Sequence, residues 1–105
     1  MNNNNNEQME KGFCDRVKEA VGELNFAMWL NIRRAYIGAC HEKDMVSKFP
    51  YAFIDIHGWS DSFVTSETLE EIRKLFEKYG LEVWHFIIFA NDKRLSFEYW
   101  VRPKQ

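Results

Sequence analysis

Two consecutive segments near the C-terminus, Leu81 to Ala90 and Arg94 to Arg102, read as strands and carry large apolar side chains at both odd and even positions. A strand of a small antiparallel sheet ordinarily alternates apolar with polar residues, because one face meets the core and the other meets water. Here both faces are apolar, so the second face needs a cover. That cover is either the N-terminal third of the chain or another molecule.

Length and composition narrow the setting. A chain of 105 residues suits one domain with one core, placed over residues 7–105. Apolar residues make up 46% and aromatic residues 16% of the chain, a globular composition rich in the side chains that dominate interfaces. A net charge of -2 supplies no long-range field for nucleic acid or anionic lipid. Cys14 and Cys40 lack the spacing of a zinc site or a disulfide framework, so free thiols are expected, with no metal and no cofactor. No stretch joins a basic segment to an apolar one as a leader does, and none nears the roughly 20 apolar residues that span a bilayer. The expectation is a soluble cytoplasmic protein that engages no membrane.

The run Asn2 to Asn6 has no apolar anchor, and residues 1–6 are expected to form a disordered tail. From there Met9, Phe13, Val17, Val21 and Leu24 recur at helical spacing. Asn25 then suits the N-cap of a second helix running through Trp29, Leu30, Arg33, Tyr36 and Ile37 to Gly38. Residues 26 to 32 also alternate as a strand would, with Phe26, Met28, Leu30 and Ile32 on one side. After a charged linker from His41 to Lys48, Pro50 opens a strand in which Tyr51, Phe53, Asp55 and His57 share one face and Ala52, Ile54 and Ile56 the other. Ser66 with Glu67, Glu70 and Glu71 marks a helix start, Leu69, Ile72, Leu75, Phe76 and Tyr79 form its stripe, and Gly80 suits its C-terminal cap. The fold class is therefore α+β: an N-terminal helix or helix pair, then strand, helix, strand, strand, with a three-stranded mainly antiparallel sheet ending in a β-hairpin. The strand order is either fully antiparallel with the last strand central, or includes a right-handed parallel crossover.

The hairpin loop sets which side chains share a face, since a slip of one residue turns a strand over. A three-residue loop, Asn91 to Lys93, pairs Glu82 with Arg102, Trp84 with Trp100 and Phe86 with Glu98. A loop of even length pairs His85 with Trp100 and separates Glu82 from Arg102. On the odd register, the inner face holds Ala52, Ile54, Ile56, Val83, His85, Ile87, Phe89, Leu95, Phe97, Tyr99 and Val101. The outer face then holds Tyr51, Phe53, Trp84, Phe86, Ile88 and Trp100, bordered by Asp55, His57, Glu82, Glu98 and Arg102.

Tryptophan and tyrosine beside arginine is the composition of binding hot spots, so the residues expected to meet a partner are Trp84, Trp100, Phe86, Tyr51, Phe53 and the loop residue Trp59. Covering by the N-terminal helices is the competing expectation, because small domains seldom expose large apolar patches. Asp55, His57 and Glu98 form an alternative cluster, a possible acid and base or set of ligands on the same face. The loop Gly58 to Ser62 precedes a helix but lacks the glycines of a phosphate-binding loop. Basic residues are interrupted by acids and the aromatic strands lack the pattern of an RNA-recognition sheet, which argues against nucleic acid. The expected function is a non-enzymatic module that binds another protein or a second copy of itself, of the inhibitor, immunity or adaptor type.

Overall fold

The computed structural model describes residues 12–27, 32–42, 49–58, 66–90 and 95–104. The asparagine run, Trp59 and the hairpin loop lie outside the described residues. The elements are α1 (Phe13–Phe26), β1 (Ile32–His41), β2 (Tyr51–Gly58), α2 (Ser66–Lys78), β3 (Leu81–Ala90) and β4 (Leu95–Pro103), an α-β-β unit followed by a second α-β-β unit. The four strands form one sheet in the order β1-β2-β4-β3, with every pair antiparallel. The fold is α+β as expected, and of the two strand orders the antiparallel one is formed. Among the described residues the sheet has four strands, not three.

The additional strand, β1, replaces the predicted second helix. Two features favour extended chain there. Ala35 is buried and Arg34 and Tyr36 are exposed, the period of two that a half-buried strand requires. Asn25, read from sequence as a helix N-cap, instead accepts the backbone N–H of Ala35 at 2.8 Å and donates to its carbonyl at 3.1 Å. It occupies the place of a neighbouring strand residue, satisfying backbone groups that an edge strand leaves open.

Both helices pack on one side of the sheet. Phe13, Val17, Ala20, Val21 and Leu24 of α1 and Ile72, Leu75 and Phe76 of α2 meet Ala35, Ala52, Ile54, Ile56, Phe97, Tyr99 and Val101 in a single core. The thinnest dimension is 18 Å, matching one helix layer on one sheet layer. The expectation that the N-terminal helices lie across the aromatic face therefore fails for α1. Its apolar stripe has the same inner face to bury against as α2 does. The two helices are also joined directly: Arg16 donates to the carbonyls of Tyr79 and Gly80, and Glu23 accepts from Lys78 and from the Tyr79 hydroxyl at 2.6 Å. Gly80 closes α2 with φ +72°, the left-handed position a glycine C-terminal cap occupies at low steric cost. On α2 the carboxylate of Glu70 pairs with Arg73, and Lys74 lies near Glu71.

The hairpin contains both predicted registers, one on each side of a β-bulge at Trp84. Glu82 pairs with Arg102 and Val83 with Val101, as the odd loop required; beyond the bulge His85 pairs with Trp100, Phe86 with Tyr99 and Ala90 with Leu95, as the even loop required. One extra residue in β3 shifts the frame without breaking the strand. Consequently Phe86 and Ile88 turn to the inner face, while His85, Ile87 and Phe89 turn outward, the reverse of the predicted assignment. Phe86 packs against Phe97 and Tyr99, their ring centroids 6.0 and 4.8 Å away.

Candidate interaction face

The outer face of the sheet carries no helix among the described residues. Strand pairing arranges it in rows: Ala39, Phe53, Trp100 and His85; then Tyr36, Asp55, Glu98 and Ile87; then Arg34, His57, Ser96 and Phe89. The first row is aromatic, the second is acidic at its centre, and the third is mixed.

Trp100 is the hub. Its ring stacks on Phe53 at 4.9 Å and on Tyr51 at 6.1 Å, and meets Trp84 edge-on at 5.8 Å and His85 at 6.4 Å. Such offset and edge contacts are the favoured geometries of aromatic quadrupoles and hold the rings in fixed positions. The indole N–H donates to Glu98. Beside it, Arg102 lies over the Trp84 ring at 5.5 Å while donating to Glu82 at 3.2 Å, so the bulged tryptophan is framed by a cation and its counter-ion. Trp84 remains 41% exposed.

Phe53 reaches this arrangement through a glycine. Its ring lies on the backbone of β1 at Gly38, where a β-carbon would stand 2.0 Å from the ring. The pairing of β1 with β2 slips at this point, between Ile37 and Ala39. A residue read from sequence as a helix terminator thus provides the floor for an aromatic side chain.

The acidic centre consists of Asp55 and Glu98, which face each other across β2 and β4. Burial pushes the Asp55 carboxyl above its ordinary range, the adjacent Glu98 charge adds to this, and His57 opposes it. Two carboxylates held side by side repel, so the neighbouring charge favours the protonated form of Asp55 in the same direction as burial does. His57 is set apart from this pair: it faces Ser96 and contacts the Tyr36 ring edge-on at 5.3 Å, while Arg34 lies over the other part of Tyr36 at 5.1 Å.

Of the residues predicted to meet a partner, Tyr51, Phe53, Trp84 and Trp100 share this face. Phe86 does not; it lines an inner groove between α2 and β3 with Leu69, Arg73, Val83 and Tyr99. Trp59 lies outside the described residues. Within the alternative cluster, the structure brings Asp55 and Glu98 together and places His57 one row away. Sequence reasoning missed Arg34 and Tyr36 because their stretch was read as helix, and His41, whose ring lies 4.9 Å from Tyr51, because it was read as the start of a charged linker. The alternation of Arg34 and Tyr36 around Ala35 was the available signal. It missed His85, Ile87 and Phe89 because a bulge leaves no periodic trace.

Among the described residues no three His, Cys, Asp or Glu side chains gather so as to hold a metal ion, and no helix is long and apolar enough to cross a membrane. Compared with known proteins, the chain matches no family model and no curated relative.

Proposed function

We propose that this chain is a small protein-binding module, of the inhibitor, immunity or adaptor type, that docks another protein or a second copy of itself on the outer sheet face. The observation that carries this reading is Trp100, fixed among Tyr51, Phe53, Trp84 and His85 on a face that no described helix covers. Rigid aromatic anchors ringed by charged groups are the arrangement that concentrates binding energy at protein interfaces. Asp55 and Glu98, two carboxyl groups side by side with the Asp55 carboxyl raised by burial and by the Glu98 charge, suit a partner that brings a basic side chain between them. On this reading the chain acts in the cytoplasm, without catalysis, cofactor or nucleic acid.

The same acid pair favours one alternative, a small ligand binder or enzyme that uses Asp55 and Glu98 with His57. The two readings separate in one experiment. Proteins retained by the immobilised chain from a lysate of its source cells are identified, the strongest is produced pure, and its affinity is measured for the chain and its variants. Light scattering of the chain alone tests self-association. Trp100→Ala and Trp84→Ala should each weaken the complex by tenfold or more, on the order of the 2 kcal/mol typical of a hot spot. His57→Ala should leave it unchanged. Loss of binding on His57→Ala, with Trp100 dispensable and circular dichroism unaltered, would overturn the interface reading in favour of the other.

A further inference from the structure

Cys14 and Cys40, distant in sequence, meet at the junction of α1 and β1. Cys14 stands in the first turn of α1 and Cys40 near the end of β1, and both pack half-buried against the rim of the core. Two contacts fix the junction independently of the thiols. Glu42, on the same side of the strand end as Cys40, accepts the backbone N–H of Cys14 at 2.8 Å. Its carboxylate also packs so closely on Gly12 that a β-carbon there would stand 3.0 Å from the oxygen. The start of α1 is thereby pinned beside the end of β1. The Cys14 thiol stands near enough to Cys40 to raise its affinity for a proton, and neither cysteine is committed to a disulfide.

We infer that Cys14 and Cys40 are a redox modification site, closing to an intramolecular disulfide when the chain meets a peroxide. The Cys14 thiolate attacks one peroxide oxygen, so that an S–O bond forms, the O–O bond breaks and the departing hydroxide leaves as water with the proton of the thiol. The Cys40 sulfur then attacks the Cys14 sulfur: the S–S bond forms, the S–O bond breaks, and the second hydroxide leaves as water with the Cys40 proton. Two thiols and one peroxide give one disulfide and two waters, with two electrons passing from sulfur to oxygen. Burial, followed by the Cys14 thiol and the Glu42 charge, pushes Cys40 up to about 12, against the smaller pull of Lys18, so Cys40 holds its proton at neutral pH and acts second. The product ties the first turn of α1 to β1. This site lies on the helix side of the sheet and is independent of the docking face.

The test is oxidation of the reduced full chain with hydrogen peroxide, followed by digestion without reductant and mass spectrometry. The expected product is one cross-linked pair of peptides holding Cys14 and Cys40, lighter than their sum by two hydrogens and released by dithiothreitol. It should form at a rate independent of protein concentration and raise Tm by roughly 15 °C, the scale for closing a loop of this length. Cys14→Ser and Cys40→Ser should each abolish both the cross-link and the shift. Should either variant fail to fold, the wild-type chain oxidised in denaturing urea provides the comparison, with cross-linking at least tenfold slower than in the folded chain. Equal rates folded and unfolded, disulfides between separate chains, or over-oxidation of both cysteines without a cross-link would each overturn the proposal.

Discussion

The two faces of this sheet are built from the same four strands yet solve opposite problems. The inner face is aliphatic at its centre, with Ala52, Ile54, Ile56 and Val101 wholly buried beneath two helices. The outer face puts Phe53, Trp100, Asp55 and Glu98 at the same levels of the same central strands, half-exposed and tied to one another by ring contacts and hydrogen bonds. Small branched side chains fill the space under a helix at high density. Large flat ones, locked to their neighbours, keep their shape where no described helix covers them. The difference teaches that apolar content alone does not mark a core; what distinguishes the faces is whether the side chains depend on a cover to stay in place.

The sharpest way to break this distinction is to truncate neighbours on opposite faces of β2. Ile54→Ala should cost about 3 to 4 kcal/mol in urea unfolding, as fully buried isoleucines do, and Phe53→Ala markedly less, about 1 kcal/mol for its half-exposed ring. Equal costs would mean that the outer face is as much a core as the inner one. Next in size is Gly38→Ala, whose methyl group displaces the Phe53 ring. A loss of about 2 kcal/mol is expected, typical of overpacking, with a changed near-ultraviolet dichroism from Trp100 while the far-ultraviolet spectrum holds.

A smaller effect tests the acidic centre. Because the folded state raises Asp55 above its ordinary value of 3.8, the folded chain binds that proton more tightly than the unfolded chain does. This contribution is greatest below the ordinary value and is lost as pH rises through the raised one. Asp55→Asn removes the loss, so its Tm relative to wild type should climb across that window and stay a few degrees higher at neutral pH. A variant less stable than wild type at neutral pH would show that the ionised pair is well compensated. The smallest change should follow Glu82→Gln at the exposed ion pair with Arg102, about 0.5 kcal/mol or less, diminishing further with added salt.

Local chemistry made some of this legible in the sequence. The strand after Pro50, the helix from Ser66 and the glycine cap at Gly80 are specified within a few residues of themselves, and the structure has them. β1 was hidden because its choice of strand over helix depends on partners: β2 on one side and the Asn25 side chain on the other. The bulge was hidden because two registers compete in the hairpin, one satisfying Glu82 and Arg102 and the other the apolar residues near the loop, and only a paired β4 lets both be met. The outer patch was therefore legible in Tyr51, Phe53, Trp84 and Trp100, whereas the placement of Phe86, His85 and all of β1 depended on contacts that periodicity does not encode.

The chain consists of two α-β-β units, and among the described strands the backbone hydrogen bonds that join them run along one line, between β2 and β4. Phe53 and Trp100 straddle that line from opposite units. Anything bound over them would act as a splint across the joint. Its affinity would be felt as resistance to separation, worth about 2.7 kcal/mol at a hundredfold excess over Kd. Occupancy would then be readable far from the contact itself, in slower amide exchange along Ala52 to His57 and Ser96 to Val101 on docking.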